Sequence, residues 1–217
     1  MTKLSPIFGT SAAILACVVM LSLGGCNLSA PYPVRNEFVI RVKPGPKAQE
    51  TVPGVIMIAG VRVAGPFGDR EFVYRMADLT FKSDYYNLFI VAPGRMLTGE
   101  VVYAMRQRHG FNSVLDPDVS ADHDWVLETM VTDLYGDYRD PSAPRAVVRA
   151  HFVLLRVAPA STTVVGEWTF EESEPLGAPT PAELAAACGV AFSAVLQRAA
   201  PEIEHAASTQ ARGAGPR

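Results

Sequence analysis

Three long stretches in the second half of the chain alternate between apolar and polar residues, and they constrain the fold more than any other feature. They lie at 125–135, 146–157 and 163–171. Alternation with a period of two predicts strands that have one covered face and one solvated face. Short turn-rich segments join the three stretches, which favours an antiparallel meander. In the middle stretch, Arg149 and His151 fall on the predicted solvated face.

The rest of the chain adds further strands and two helices to this meander. Further strands are predicted at 37–42, 55–63 and 71–81. An aromatic-rich connector at 84–89 leads to a helix that begins at Pro93 and is ended by Gly110. Thr180 and Glu183 form a capping box at the start of a second helix with an apolar stripe. The second helix is predicted to lie against the covered face of the sheet, beside the first helix.

The N-terminal apolar run ends in the sequence Leu23-Gly24-Gly25-Cys26. A short apolar core that ends in small residues is typical of an export signal rather than of a spanning helix. The order of Leu, two small residues and Cys resembles the bacterial lipobox, which lipoprotein signal peptidase reads. The resemblance implies that Cys26 becomes the first mature residue and carries a diacylglycerol and an N-acyl chain. The alternative is an ordinary cleaved signal with an unrelated cysteine.

These patterns divide the chain into four predicted parts. They are a lipoprotein signal peptide at 1–25, a lipid-anchored linker at 26–36, a single α+β domain at 37–204 and a disordered tail at 205–217. The tail is predicted from its Ala, Gly and Ser content and its lack of apolar periodicity. Cys188 is predicted to be a buried thiol without a disulfide partner, because Cys17 leaves with the signal and Cys26 is acylated. The net charge of −3 gives no support to a nucleic-acid partner.

The densest polar cluster lies at 116–124 and is made of Asp116, Asp118, Asp122, His123 and Asp124. Carboxylates and imidazoles are common metal ligands. The cluster nevertheless has ordinary turn chemistry, and the calcium-loop spacing is absent from the sequence. The sequence also lacks a nucleophile elbow, a zinc-protease motif and a phosphate-binding Gly loop. We therefore predict no metal, no catalytic residue and no enzymatic activity. A periplasmic hydrolase that uses this cluster is the alternative.

Aromatic residues of the connector are candidates for contacts with a partner. They are Tyr85, Tyr86 and Phe89. Exposed aromatic side chains often dominate binding at protein interfaces. The alternative is that these residues close the core where sheet meets helix. Arg149 and His151 on the solvated sheet face are further candidates, as is an open sheet edge that a partner strand can complete.

Several segments together are similar to one known family. They are Phe72-Val73-Tyr74-Arg75, residues 83–89, Pro93, the helix that leads to Gly110 and Phe111, residues 166–172 and residues 181–196. With the lipobox, this pattern resembles the ABC-type transport auxiliary lipoproteins, which accompany MCE-type lipid transport systems in Gram-negative bacteria. The resemblance extends over about residues 35–204.

This resemblance implies an α+β fold class: a mixed, largely antiparallel β-sheet with two α-helices packed on one face. It also implies a non-enzymatic accessory protein with no cofactor beyond the acyl chains on Cys26. It implies attachment to the bilayer at the periplasmic face of the envelope, and docking on an MCE-domain protein with its ABC permease and ATPase. Such systems move phospholipids or other apolar molecules. Asn27, where an Asp would favour retention in the inner membrane, favours the outer membrane. Assembly as a homo-oligomer is left open. The alternative is an outer-membrane assembly lipoprotein that supports a β-barrel, as in lipopolysaccharide export, and that also packs two helices on a sheet.

Overall fold

A computed structural model of the chain describes residues 34–213. The predicted signal, Cys26 and most of the predicted linker lie outside the described residues, as do residues 214–217. The described strands are β1 (Asn36–Phe38), β2 (Val52–Ile58), β3 (Arg62–Val63), β4 (Glu71–Ala77), β5 (Thr80–Phe89), β6 (Phe111–Leu115), β7 (Trp125–Asp137), β8 (Arg145–Ala158) and β9 (Ser161–Pro175). The described helices are α1 (Pro93–Arg108) and α2 (Pro181–Gly213), and a short 3-10 turn spans Gly65–Phe67.

The strands form one mixed sheet in which β7 is the central element. Its path runs β1-β5-β4-β7-β2-β6, and β8 pairs with both β7 and β9. The three longest pairings, β7 with β8, β8 with β9 and β4 with β5, are antiparallel. The parallel pairings of β1, β2, β3 and β4 are short. The predicted α+β class is confirmed, and so is the antiparallel meander of the three long strands.

Both helices cover the same face of the sheet, and that face is the core. Helix α2 packs mainly against β8 and β9, and α1 packs against β6 and β2. On β8, Val148, Ala150 and Phe152 are buried, whereas Arg149 is exposed and His151 is half-buried. The alternation in the sequence therefore predicts correctly which side of the meander is covered.

Residues 39–43 cross between the two helices, and we call them the crossing segment. Its backbone N–H groups are satisfied by helix side chains: Val42 N donates to Glu100 Oε2 at 2.8 Å, and Lys43 N donates to Ser193 Oγ at 2.8 Å. Ile40 within it is fully buried. The predicted strand at 37–42 is therefore wrong beyond Phe38, because helix side chains rather than a neighbouring strand bind this backbone.

Helix α1 ends one residue before the position that the sequence indicates. The last helical residue is Arg108, and His109 adopts the left-handed conformation with φ of 56°. Gly110 has a different role, because a Cβ there would lie 2.0 Å from Glu204 Oε1. The glycine leaves room for the Glu204 side chain of α2, and the histidine provides the turn.

Helix α2 begins where the capping pattern predicts and continues further than expected. Glu183 N donates to Thr180 Oγ1 at 3.3 Å. The helix extends to Gly213, and Ala207 in its last part is fully buried. The predicted disordered tail is therefore wrong for residues 205–213. Helix α2 is long and apolar enough to cross a membrane, but most of its apolar window is buried within the domain, as in the core helix of a globular protein.

Cys188 lies in the buried face of α2 and is a free thiol. Burial raises the pKa of this thiol to about 12. A neutral buried thiol behaves as a small apolar side chain. The prediction of a buried structural cysteine is confirmed.

Candidate functional site

Strands β4 and β5 form a hairpin, residues 71–89, that we call the aromatic hairpin. The residues predicted to form a connector at 84–89 belong to β5, so that prediction is wrong. Among the described residues, this hairpin carries five of the large apolar side chains that are exposed: Met76, Leu79, Phe81, Tyr85 and Tyr86. Single exposed apolar residues are ordinary on protein surfaces, but a cluster on one element indicates an interaction surface.

A bulge in β5 sets the positions of Tyr85 and Tyr86. Phe72 on β4 pairs with Asp84, whereas the preceding residue, Glu71, pairs with Leu88. The residues between Asp84 and Leu88 therefore have no partner on β4, and the two tyrosines are displaced from the ladder. Bulges of this kind redirect side chains beside functional sites.

The Asp84 carboxylate holds the bulge in place with four accepted hydrogen bonds. Oδ1 accepts from Tyr86 N at 2.9 Å and from Asn87 N at 3.2 Å. Oδ2 accepts from Tyr74 Oη at 2.8 Å and from Asn87 Nδ2 at 2.7 Å. Partial burial opposes ionisation, but the donated hydrogen bonds outweigh it and lower the pKa of Asp84. The carboxylate is therefore ionised at neutral pH.

A cleft of about 460 Å³ opens beside this bulge. Its walls are formed by the bulge and the strand residues next to it, by the loop after β7, and by Pro179 and Pro181 at the start of α2. The lining residues include Tyr74, Asp84, Tyr85, Tyr86, Tyr138 and Pro181. A volume in this range is typical of a site for a small ligand.

The tyrosines of the cleft form two perpendicular pairs. Tyr74 and Tyr138 have ring centroids 5.2 Å apart and an interplanar angle of 89°. Tyr85 and Tyr86 show the same separation, 5.2 Å, and the same angle, 89°. Burial raises the pKa of both Tyr74 and Tyr138, so their hydroxyl groups are neutral. The cleft thus combines aromatic walls with one carboxylate, that of Asp84, and one lysine, Lys82.

The chain enters the described domain beside the bulge. Arg35 Nε donates to the carbonyl oxygen of Tyr85 at 3.3 Å. The Arg35 guanidinium also lies over the Tyr85 ring, 4.2 Å from its centroid. The exposed tyrosines are consequently adjacent to the point where the predicted linker meets the fold.

Phe89 does not join this surface. It is only 5% exposed, and its ring packs against Phe72 with centroids 4.5 Å apart. For Phe89 the alternative of closing the core is therefore correct. Tyr85 and Tyr86 are 63% and 42% exposed. Of the three aromatic candidates, only these two can contact a partner.

Arg149 and His151 lie on the solvated face of the meander and do not line the cleft. Arg149 Nε donates to Glu171 Oε2 at 2.6 Å across the β8–β9 pair. His151 lies opposite Thr169, with Nδ1 3.0 Å from the threonine hydroxyl. Cross-strand pairing of this kind stabilises the exposed face of a sheet. The structure separates these two candidates from Tyr85 and Tyr86.

In the polar cluster at 116–124, Asp116 and Asp124 are engaged by different parts of the domain. Asp124 Oδ2 accepts from Val55 N at 2.9 Å, and Asp116 forms an ion pair with Arg106. Within residues 34–213, no group of three or more His, Cys, Asp and Glu side chains is arranged to hold a metal ion. These contacts give both carboxylates a role in stabilising the loop.

The same fold occurs in solved structures of other proteins. A protein from Xanthomonas campestris described as belonging to the DUF330 family is 18% identical, with a TM-score of 0.71 over 82% of this chain and 99% of that chain. The chain shares this fold. An uncharacterized protein is 14% identical, with a TM-score of 0.51 over 80% of this chain and 100% of that one. No protein-family model matches the sequence, and no curated protein matches it.

Acid should weaken the bulge in β5, because protonation of Asp84 weakens the hydrogen bonds that the carboxylate accepts. Because the folded-state pKa of Asp84 is lowered, its stabilising contribution is present above the unfolded value of about 3.9 and is lost as pH falls through the folded value. We expect Asp84→Asn to lower the urea midpoint at neutral pH and to make the acid-induced fall shallower. Asp69→Asn, at an exposed position, is the control and leaves both quantities unchanged. An unchanged acid response in Asp84→Asn would contradict the assignment.

Proposed function

We propose that this chain is a lipid-anchored accessory protein of an ABC transporter of the MCE type. In this proposal, acyl chains on Cys26 hold it at the periplasmic face of the outer membrane, and the domain docks on the MCE-domain protein of the transporter. The transported molecules are phospholipids or other apolar compounds, and the protein acts by binding rather than by catalysis. The likeness in fold supports the further proposal that it is a divergent relative of the DUF330 protein.

The observation that carries this proposal is that the aromatic hairpin lies next to Arg35, where the predicted linker joins the domain. Arg35 contacts Tyr85, so the exposed tyrosines lie at the start of the domain. Only residues 27–34 separate Cys26 from Arg35, and a chain of about nine residues reaches at most roughly 30 Å even when fully extended. A docking surface at this position meets a partner close to the bilayer. Tyrosine is also among the residues that contribute most to binding at interfaces.

The anchor is tested by replacing Cys26 with serine. We expect the variant to take up no palmitate, to retain residues 1–25 and to be absent from the outer-membrane fraction, because two or more acyl chains are required for stable anchoring. Cys17→Ser is the matched control within the predicted signal and leaves labelling and fractionation unchanged. Palmitate labelling of Cys26→Ser would contradict the lipobox assignment.

The docking surface is tested by affinity purification from detergent-extracted membranes followed by mass spectrometry. We expect an MCE-domain protein to co-purify with the wild type. Tyr85→Ser should weaken the interaction roughly thirty-fold, the effect of losing about 2 kcal/mol at an interface hot spot. Tyr103→Ser is the matched control, because Tyr103 is a tyrosine with 45% exposure that belongs to α1 and not to the aromatic hairpin.

The identity of the captured protein separates the alternatives. If a β-barrel protein co-purifies in place of an MCE-domain protein, the outer-membrane assembly alternative is correct. If Tyr85→Ser and Tyr103→Ser retain equal amounts of the MCE-domain protein, the aromatic hairpin is not the docking surface.

A further inference from the structure

The cleft beside the bulge contains a negative charge, that of Asp84, which the proposed docking of a partner does not require. Asp84 is ionised, and none of the cations in residues 34–213 forms an ion pair with it. Its negative charge faces a cleft whose other walls include four tyrosines, Tyr74, Tyr85, Tyr86 and Tyr138. A carboxylate among aromatic rings attracts a cation, because the faces of the rings also carry negative potential.

The hydrogen bonds of Asp84 select the kind of cation. Each carboxylate oxygen already accepts two hydrogen bonds from the protein, which uses the four lone-pair positions of the group. A primary ammonium or a guanidinium brings N–H donors that need acceptors when they leave water. A quaternary ammonium has no N–H group and needs no acceptor. Asp84 therefore attracts a cation through its charge, and it suits best a cation that needs no acceptor from the carboxylate.

The geometry of the rings suits the same ligand. The perpendicular arrangement of Tyr74 and Tyr138, and of Tyr85 and Tyr86, provides aromatic walls at right angles to each other. Aromatic walls of this kind surround quaternary ammonium groups in known cages. Arg35 already lies over the Tyr85 ring and is not one of the cleft-lining residues. That contact is an example within this chain of a delocalised cation bound by one of these rings.

We propose that the cleft of Tyr74, Asp84, Tyr86 and Tyr138 binds the trimethylammonium group of a choline-type molecule. Lys82, an exposed residue that also lines the cleft, is available to an anionic group on the same molecule. A zwitterion such as phosphocholine matches both charges. This inference does not depend on the transporter partner, and its test uses the purified protein alone.

The test compares ligands that differ in one property. The full-length lipidated protein is purified in a maltoside detergent, whose headgroup carries no charge, and ligands are titrated by calorimetry. We expect choline to bind about tenfold more tightly than 3,3-dimethylbutan-1-ol, in which carbon replaces the quaternary nitrogen at nearly the same shape. Equal binding of choline and this neutral isostere, or no choline binding, overturns the proposal.

Protein variants separate the cleft from the docking surface. Tyr138→Leu removes the aromatic wall that the loop after β7 contributes, and it leaves the exposed Tyr85 and Tyr86 of the aromatic hairpin unchanged in sequence. We expect it to reduce the affinity for choline about tenfold without changing affinity purification of the partner. Tyr103→Leu is the matched control and leaves choline affinity unchanged. If Tyr138→Leu fails to fold, the comparison of choline with its neutral isostere on the wild-type protein decides the proposal by itself. Full choline affinity in a folded cleft variant overturns the assignment.

The source of the group is settled by two further ligands. Phosphocholine represents a soluble molecule, and dihexanoyl phosphatidylcholine below its micellar concentration represents a lipid headgroup. Tighter binding of the lipid by about tenfold or more indicates that the cleft takes a phospholipid, since each buried methylene adds affinity. Equal affinity indicates a soluble ligand. Failure of both ligands to compete with choline contradicts the site.

Discussion

Replacing Glu204 with alanine should lower the free energy of unfolding by about 3–5 kcal/mol, the range for removing one partner of a buried ion pair. Glu204 on α2 and Arg108 on α1 are 7% and 8% exposed. Arg108 Nε donates to Oε1 at 2.6 Å, and Nη2 donates to Oε2 at 3.0 Å. The pair joins the last residue of α1 to the C-terminal half of α2. Without Glu204 the guanidinium is left buried with only the carbonyl oxygen of Pro46 as an acceptor in the described part of the chain.

The matched control lies on the same helix. Glu202 is an exposed glutamate two positions earlier, and Glu202→Ala should change stability by no more than about 0.5 kcal/mol. Urea denaturation followed by tryptophan fluorescence measures both variants. A double variant, Arg108→Met with Glu204→Leu, should recover much of the loss, because an apolar pair of similar volume often replaces a buried ion pair without cost. Equal stabilities of Glu202→Ala and Glu204→Ala would show that the pair does not join the helices.

The same region shows why the sequence alone placed the end of the domain too early. Residues 205–213 are rich in alanine and polar residues, so they have no stripe of large apolar side chains. Ala207 is nevertheless fully buried, because a small side chain lets the helix approach the rest of the domain closely. Burial of small residues depends on neighbours far away in sequence, and hydrophobic periodicity does not detect it.

Elements whose burial depends on their own pattern were predicted well. The meander of β7, β8 and β9 follows from period-two alternation, and the start of α2 follows from Thr180 and Glu183. The sequence of the crossing segment predicts a strand because buried and exposed residues do alternate in it: Ile40 and Val42 are buried and their neighbours are not. Its partners are helix side chains, which the pattern of the segment itself cannot specify.

The candidate site was predicted only in part for a similar reason. Tyr85 and Tyr86 stand out in the sequence as adjacent aromatic residues. The cleft, however, depends on the bulge at Asp84 and on Tyr138, which lies in the loop after β7. The bulge is a property of the pairing between β4 and β5. Asp84 followed by two tyrosines and Asn87 is compatible with an Asx turn, which is the one local signal of it in the sequence.

Gly189→Ala should destabilise the domain by about 1–3 kcal/mol, although alanine is the better helix former by about 1 kcal/mol. A Cβ at this position of α2 would lie 2.4 Å from the carbonyl oxygen of Arg41 in the crossing segment. The atom in the way is backbone, so it cannot rotate aside as the end of a long side chain does. The close approach of helix and segment at Gly189 therefore excludes any side chain.

The crossing segment cannot shift easily, because both helices hold it. Lys43 N donates to Ser193 Oγ one turn after Gly189, and Val42 N donates to Glu100 of α1. Moving Arg41 away from α2 breaks these contacts or pushes the segment into α1. We therefore expect the cost to appear in global unfolding rather than as a local rearrangement, with a lower urea midpoint and an unchanged m-value.

Gly99→Ala is the control, because the same exchange of glycine for alanine should there stabilise the protein instead of destabilising it. Gly99 lies inside α1, and a Cβ there would meet nothing within 4 Å. Alanine should stabilise the protein at this position by about 0.5–1 kcal/mol, because it loses less backbone entropy than glycine on folding. The two Gly→Ala variants are thus expected to shift the urea midpoint in opposite directions. If both variants stabilise the protein, α2 does not approach the crossing segment closely enough to place a Cβ at position 189 only 2.4 Å from the carbonyl oxygen of Arg41.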